Sequence, residues 1–159
     1  MILLIILLIP FITGLLILLV RNASTVKSVA LVASLANLLI TLSLFFAASA
    51  SNYSVNWIDF LGTKFALGYD GISLIMLMLT NLLFPFIILS GFKREQQQVP
   101  VLYALILFTQ SALIGVFLAQ NAFLFYVFWE LALIPVYFIL LLWGGEGRRA
   151  ITFSFSFIR

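Results

Sequence analysis

Neither cysteine nor histidine occurs anywhere in the 159 residues. Their absence excludes disulfides, thiol chemistry and iron–sulfur ligation, and it removes the commonest ligands of zinc and haem. Any redox chemistry linked to the chain therefore belongs to a partner. Charge is scarce too: Lys and Arg total 8, Asp and Glu total 5, and together they make up 8% of the sequence, against about 25% in an ordinary soluble domain. The basic residues are too few, and too scattered among short loops, for the formal net charge of +3 to mark a nucleic-acid surface. The start, Met1-Ile2-Leu3-Leu4-Ile5, lacks the basic region that opens a secretory signal peptide. Ala47-Ala48-Ser49-Ala50 has the small residues of a cleavage site, but it follows a second apolar run and is not read as one.

What fills the sequence instead is hydrocarbon, since 65% of the residues are hydrophobic. A small domain buries only part of its surface, so lipid is the solvent that fits. A helix needs roughly 20 apolar residues to cross a bilayer, and five such runs occur, at about 2–20, 29–48, 72–91, 101–119 and 122–143. They are continuous and lack the period-two alternation of barrel strands, which favours helices. The expected fold is an all-α membrane protein of about five spans.

The connections are 21–27, 52–70, 92–100 and the tight turn at Gln120-Asn121. Arg21, Lys27, Lys93, Arg94, Arg148 and Arg149 fall on one side of this arrangement, whereas the other side holds Lys64 with Asp59 and Asp70. The positive-inside rule places the first side in the cytoplasm and the N-terminus outside. Trp57, Trp143 and Tyr69 lie near predicted span ends as interface anchors, and Trp129 does not. Residues 151–158 are apolar with interleaved Ser and Thr. They are too short to span and read as the start of a sixth helix that was cut off, the alternative being a membrane-skimming tail. The organisation is then three helices in 1–99, a fourth and fifth in 100–149, and the beginning of a sixth in 150–159.

Glu130 carries most of the functional information, because it is the charged residue inside the five predicted spans. It lies about eight residues into the fifth, roughly 12 Å along at 1.5 Å per residue. A carboxyl group in hydrocarbon is costly in either state, and such residues mark ion pathways by default. The alternative is a protonated acid making one structural interhelical hydrogen bond. Pro135, in the same span, removes the amide that would bond the carbonyl of Leu131; the freed carbonyl can hold water, or the proline is a plain kink. Gln110 and Glu130 each lie ten residues from the turn at Gln120, so a helical hairpin puts them at matching depth. Gln110 is then expected either to approach Glu130 or to face another helix. Tyr126 and Tyr137, four before and seven after Glu130, share its face and suit either a hydrogen-bond chain or packing.

Asn37, Thr41, Thr80 and Asn81 are further polar residues in apolar runs, and they read as interhelical glue. Asp70 or Ser73 is placed to cap the third helix. No metal-binding group is expected.

The stretch from Phe123 to Phe138, with Trp129-Glu130 and then Ile134-Pro135-Val136-Tyr137, continuing to Trp143-Gly144-Gly145, resembles the fifth helix of chain M, also called chain 4, of NADH-quinone oxidoreductase, respiratory complex I. Tyr69-Asp70-Gly71-Ile72-Ser73-Leu74 is similar to the start of that family's third helix. Order and spacing of the two motifs agree with the family, and the resemblance in helix order covers the whole chain. It implies an antiporter-like subunit of fourteen helices with two inverted five-helix repeats, of which this sequence holds the first third. It also implies a helix-5 glutamate, here Glu130, paired with a lysine on a later helix. Proton transfer would be driven by quinone reduction in neighbouring subunits. NADH, FMN, iron–sulfur clusters and quinone are expected in those partners and no cofactor in this chain. The neighbours implied are chains of the L and N type in a bacterial inner membrane. Residues 151–158 match the family's sixth helix poorly, which suggests a fragment. Other readings are a subunit of a multisubunit cation/proton antiporter, or a structural or assembly protein without transport.

Overall fold

The computed structural model describes residues 1–46, 52–58, 63–93 and 97–144. Asp59, Arg94, Arg148 and Arg149, the Ala47–Ala50 stretch and the expected sixth-helix start all lie outside the described residues. Among the described residues there are five helices: α1 (Ile2–Ile17), α2 (Ala23–Phe46), α3 (Gly71–Ser90), α4 (Val99–Leu118) and α5 (Ala122–Trp143). Their bounds follow the apolar runs, except that α2 begins at Ala23 rather than Val29 and takes in most of the expected 21–27 connection; four of the five are long and apolar enough to cross a membrane. The exception is α1, which stops after 16 residues at Leu18 rather than running on to Val20. The protein is an integral, multi-pass, helical membrane protein.

Local chemistry sets the helix ends. Asp70 precedes α3, and its Oδ1 accepts from the Ser73 amide at 2.7 Å, so Asp70 is the cap. Asn121 does the same for α5, accepting from the Leu124 amide at 2.8 Å. Each satisfies one amide that the first turn leaves unpaired. Pro100 stands in the first turn of α4, where its missing donor costs nothing.

The connection between α2 and α3, expected as a plain loop, contains an antiparallel hairpin of β1 (Tyr53–Ile58) and β2 (Thr63–Leu67). Its residues alternate in strand fashion: Tyr53, Val55 and Trp57 on β1, and Phe65 and Leu67 on β2. The hairpin is tied to the turn between α4 and α5. Gly68 donates to the Leu118 carbonyl at 2.9 Å, Gln120 donates to the Ala66 carbonyl at 3.0 Å, and Asn121 Nδ2 donates to the Lys64 carbonyl at 2.7 Å.

Helix α4 is the centre of the bundle and packs against α1, α2, α3 and α5. Two glycines permit the close approaches. A Cβ on Gly14 of α1 would collide with the Phe108 ring, and one on Gly115 of α4 would collide with Phe128 of α5. One apolar core, with Leu3, Leu77, Ile114 and Leu124, lies toward the hairpin end. A second, with Ile17, Val26, Ile88 and Leu107, lies toward the other.

The two ends of the bundle separate the loops as the charge pattern requires. Lys27 Nζ donates to the Phe92 carbonyl at 3.0 Å, and Trp143 Nε1 donates to the Gln97 carbonyl at 3.1 Å. The start of α2, Phe92, Gln97 and the end of α5 therefore share one end. Lys64 and Asp70 sit at the hairpin end. Trp57 and Trp143 stand at opposite ends of the bundle, as interface residues do.

Candidate functional site

Glu130 lies midway along α5 and is half-buried. The residues of α5 that pack inward are Leu124, Phe128, Ala132 and Pro135. At about 100° per residue, Glu130 falls on the opposite side of the helix, away from α4. Tyr126 and Tyr137 share that side, as their spacing implied. Tyr126 is exposed, and Tyr137 is half-buried with its ring edge-on to Phe138 at 5.7 Å. Among the described residues no hydrogen-bond or ion-pair partner reaches Glu130. Only 17% of the apolar stretch of α5 is buried, against 61% for α4, so α5 presents a broad face that the described residues leave uncovered.

Pro135 is placed elsewhere. It is buried on the inner side, lining an apolar cleft of about 410 Å³ between α1, α4 and α5, with Phe11, Phe108, Phe128 and Leu131. It is not on the face that carries the carboxyl group. The single polar side chain in that cleft, Ser111, is satisfied by donating to the Leu7 carbonyl at 2.8 Å.

Gln110 also turns away from Glu130, so of the two expected outcomes the structure shows the second, in which it faces another helix. Its side chain is completely buried, and Nε2 donates to Oδ1 of Asn81 on α3 at 2.8 Å. Matching depth did not fix the rotation of α4, whose polar residue meets another helix. Asn81 in turn donates to Thr41 Oγ1 at 2.8 Å, and Thr41 donates to the Asn37 carbonyl at 2.9 Å. Asn37 Nδ2 donates to the Ile6 carbonyl at 3.1 Å and approaches Asn81 Oδ1 at 3.4 Å. One polar chain thus crosses α4, α3, α2 and α1. Asn37, Thr41 and Asn81 join helices as expected of them, but Thr80 bonds back to the Met76 carbonyl of its own helix.

The site residues thus form two separate groups: Glu130, Tyr126 and Tyr137 on the outer side of α5, and Gln110 with the amide chain inside the bundle. Sequence reasoning missed the link between Gln110 and Asn81. The signal available was that both are amide residues near the middle of apolar runs. No group of three or more His, Asp and Glu residues capable of holding a metal occurs among the described residues.

No family model matches the sequence. Curated relatives do. The chain is 44% identical over 102 residues to F(420)H(2) dehydrogenase subunit M of Methanosarcina mazei, covering 64% of this chain and 21% of that protein. It is 34% identical over 139 residues to NADH-quinone oxidoreductase subunit M of Rhodobacter capsulatus, covering 85% of this chain and 26% of that protein. Among solved structures, a chain of respiratory complex I from Thermus thermophilus superposes with a TM-score of 0.82 at 27% identity, covering 99% of this chain and 32% of that one. The chain thus spans between a fifth and a third of the proteins it matches. Taken with the Trp129-Glu130 and Ile134-Pro135-Val136-Tyr137 motif, these likenesses agree on one family: over the residues it spans, the chain belongs to the subunit M, or chain 4, family of NADH-quinone oxidoreductases.

Proposed function

We propose that this chain contributes to proton translocation in the membrane arm of a quinone oxidoreductase, with Glu130 as a proton-exchanging group. The observation that carries the reading is the position of Glu130 in the middle of α5, on the side the other helices leave uncovered. An unpaired carboxylate facing hydrocarbon is too costly to persist, so this side of α5 is to be covered by protein bearing a donor or a cation. The family resemblance supplies one, a lysine on a later helix. A carboxyl group in such a place holds or releases its proton according to the charge beside it. A change of charge in a neighbouring subunit then moves the proton. Tyr126 and Tyr137 line the same side and extend the hydrogen-bonding surface; Gln110 and Pro135 act in packing.

On this reading the neighbours are further membrane subunits, including chains of the L and N type. NADH, FMN, iron–sulfur clusters and quinone are handled by other subunits. The membrane is a bacterial inner membrane with the start of α2 and the end of α5 on the cytoplasmic side.

The test uses a complete homologous chain within its assembled complex, reconstituted in vesicles. Replacing the residue equivalent to Glu130 by Ala is expected to abolish or strongly reduce NADH-driven acidification while the complex still assembles. Near-normal pumping in that variant ends the proposal. Full pumping after Glu130→Gln makes the carboxyl structural. Pumping that follows sodium rather than protons moves the reading to cation exchange.

A further inference from the structure

Three polar atoms in the middle of the α1–α4 bundle are buried without a hydrogen-bond partner among the described residues: Gln110 Oε1, Asn37 Oδ1 and Ser34 Oγ. The residues that carry them are each 0% exposed. Asn37, Asn81 and Gln110 each lie near the centre of their helix, so bulk water is distant. Buried polar groups in proteins are nearly always paired, and an unpaired one in a bilayer is especially costly.

The orientation of the amides is fixed by their partners, so the unpaired oxygens do not arise from a reversed side chain. Asn37 turns its NH₂ to the Ile6 carbonyl, which only a donor can satisfy. Asn81 turns its NH₂ to Thr41 Oγ1, whose hydroxyl proton is given to the Asn37 carbonyl. That leaves Asn81 Oδ1 as an acceptor for Gln110 Nε2 at 2.8 Å and for Asn37 Nδ2 at 3.4 Å. Reversing either outer amide would set oxygen against oxygen. The remaining oxygens of Asn37 and Gln110 therefore belong to neighbouring amides gathered on one atom, and both require a donor. Ser34, one turn before Asn37 on the same face of α2, can donate or accept.

We propose that this cluster is a water-binding site, in which ordered water donates to Asn37 Oδ1 and Gln110 Oε1 and exchanges a hydrogen bond with Ser34 Oγ. Water is the ligand class that fits: it has two donors for two acceptors, and a buried water typically has two to four polar partners. A metal cation fits poorly, because every group in the cluster is neutral and an uncompensated charge at this depth is disfavoured. The site is separate from Glu130 and stands independently of the reading given to it.

The experiment is water-edited solid-state NMR on the full chain, labelled at Asn, Gln, Leu and Ile, in phosphatidylcholine–phosphatidylglycerol bilayers. Magnetisation from water is expected to reach the side chains of Asn37 and Gln110 nearly as fast as exposed Asn52, and several-fold faster than the buried side chains of Leu107 and Ile114. Ser34→Ala is expected to slow the transfer to Asn37 while the Asn81 resonance keeps its position. Transfer to Asn37 and Gln110 as slow as to Leu107 overturns the proposal. So does a shift of these amide resonances when sodium and potassium are replaced by a large organic cation, since the ligand is then a metal ion.

Discussion

Asn81 on α3 accepts a hydrogen bond from Gln110 on α4 at 2.8 Å and passes one to Thr41 on α2 at the same distance. Three helices are thereby joined through one amide that is completely buried. Asn81→Leu leaves the Gln110 and Thr41 groups without their partner, which costs about 1–3 kcal/mol per stranded polar group. Gln110→Leu removes the shorter of the two bonds to Asn81 Oδ1 and leaves the one from Asn37 Nδ2 at 3.4 Å, so it is expected to cost less. In a double-mutant cycle followed by thermal unfolding in detergent, the Asn81–Gln110 pair should couple by about 0.6–1.7 kcal/mol, as interhelical hydrogen bonds in membranes do. Additive single effects would show that the two amides act separately.

Gly115 and Phe128 meet closely between α4 and α5. The Phe128 ring occupies the space where a Cβ of residue 115 would stand, and it also packs against Phe65 of β2 with ring centroids 6.4 Å apart. The ring therefore has little freedom to give way. Gly115→Val is expected to destabilise the chain by about 1–3 kcal/mol through overpacking. Adding Phe128→Ala should recover part of that loss, since it empties the contested volume. A double variant less stable than the sum of the single changes would place the strain elsewhere.

The helices were legible in the sequence because each is a long apolar run, and run length is what a bilayer demands. The sequence narrows the cap of α3 to Asp70 or Ser73, whereas it shows Asn121 only as part of a turn and not as the cap of α5. The hairpin was not, since 53–67 lies between two strong helical signals and its alternation is short. Of the candidate site, Glu130 and its tyrosines fall on one face of α5 by helical period. Gln110 was not placed, because the period relates residues within a helix and says nothing about how one helix is rotated against another. That rotation is set by Gly14, Gly115 and the amide chain acting together, and these contacts are long-range.

Asp70 offers a pH test at a point outside the spans. Its carboxyl is held below its ordinary value, chiefly by the Ser73 backbone amide and then by the Ser73 hydroxyl. A depressed value in the folded state means that the charged cap adds stability above the unfolded value of about 4. That contribution is lost as pH falls through the lower, folded value. Asp70→Asn keeps an acceptor oxygen but removes the charge beside the helix N-terminus. The wild type is expected to melt at a higher temperature than Asp70→Asn at pH 6, with the gap closing as the medium is acidified below pH about 4. A gap that persists unchanged in acid would mean the charge plays no part.

Asn121 holds two structures at once, and its two bonds can be separated by substitution. Its Oδ1 caps α5 at the Leu124 amide, while its Nδ2 reaches the Lys64 carbonyl of the hairpin at 2.7 Å. Asn121→Asp keeps the capping oxygen and adds a charge suited to a helix N-terminus, but it has no donor for the hairpin. Asn121→Ala loses both, and the cap alone is worth about 0.5–2 kcal/mol. Thermal unfolding should therefore rank wild type and Asn121→Asp close together, with Asn121→Ala lower. Proteolysis within β2 should instead group the two variants together, both cut faster than wild type, because each releases the Lys64 carbonyl. The backbone bonds of Gly68 and Gln120 remain in both variants, so the hairpin loosens without leaving the bundle. Equal protection of β2 in all three proteins would assign its docking to those backbone bonds and to Leu67 in the core, leaving Asn121 as a helix cap.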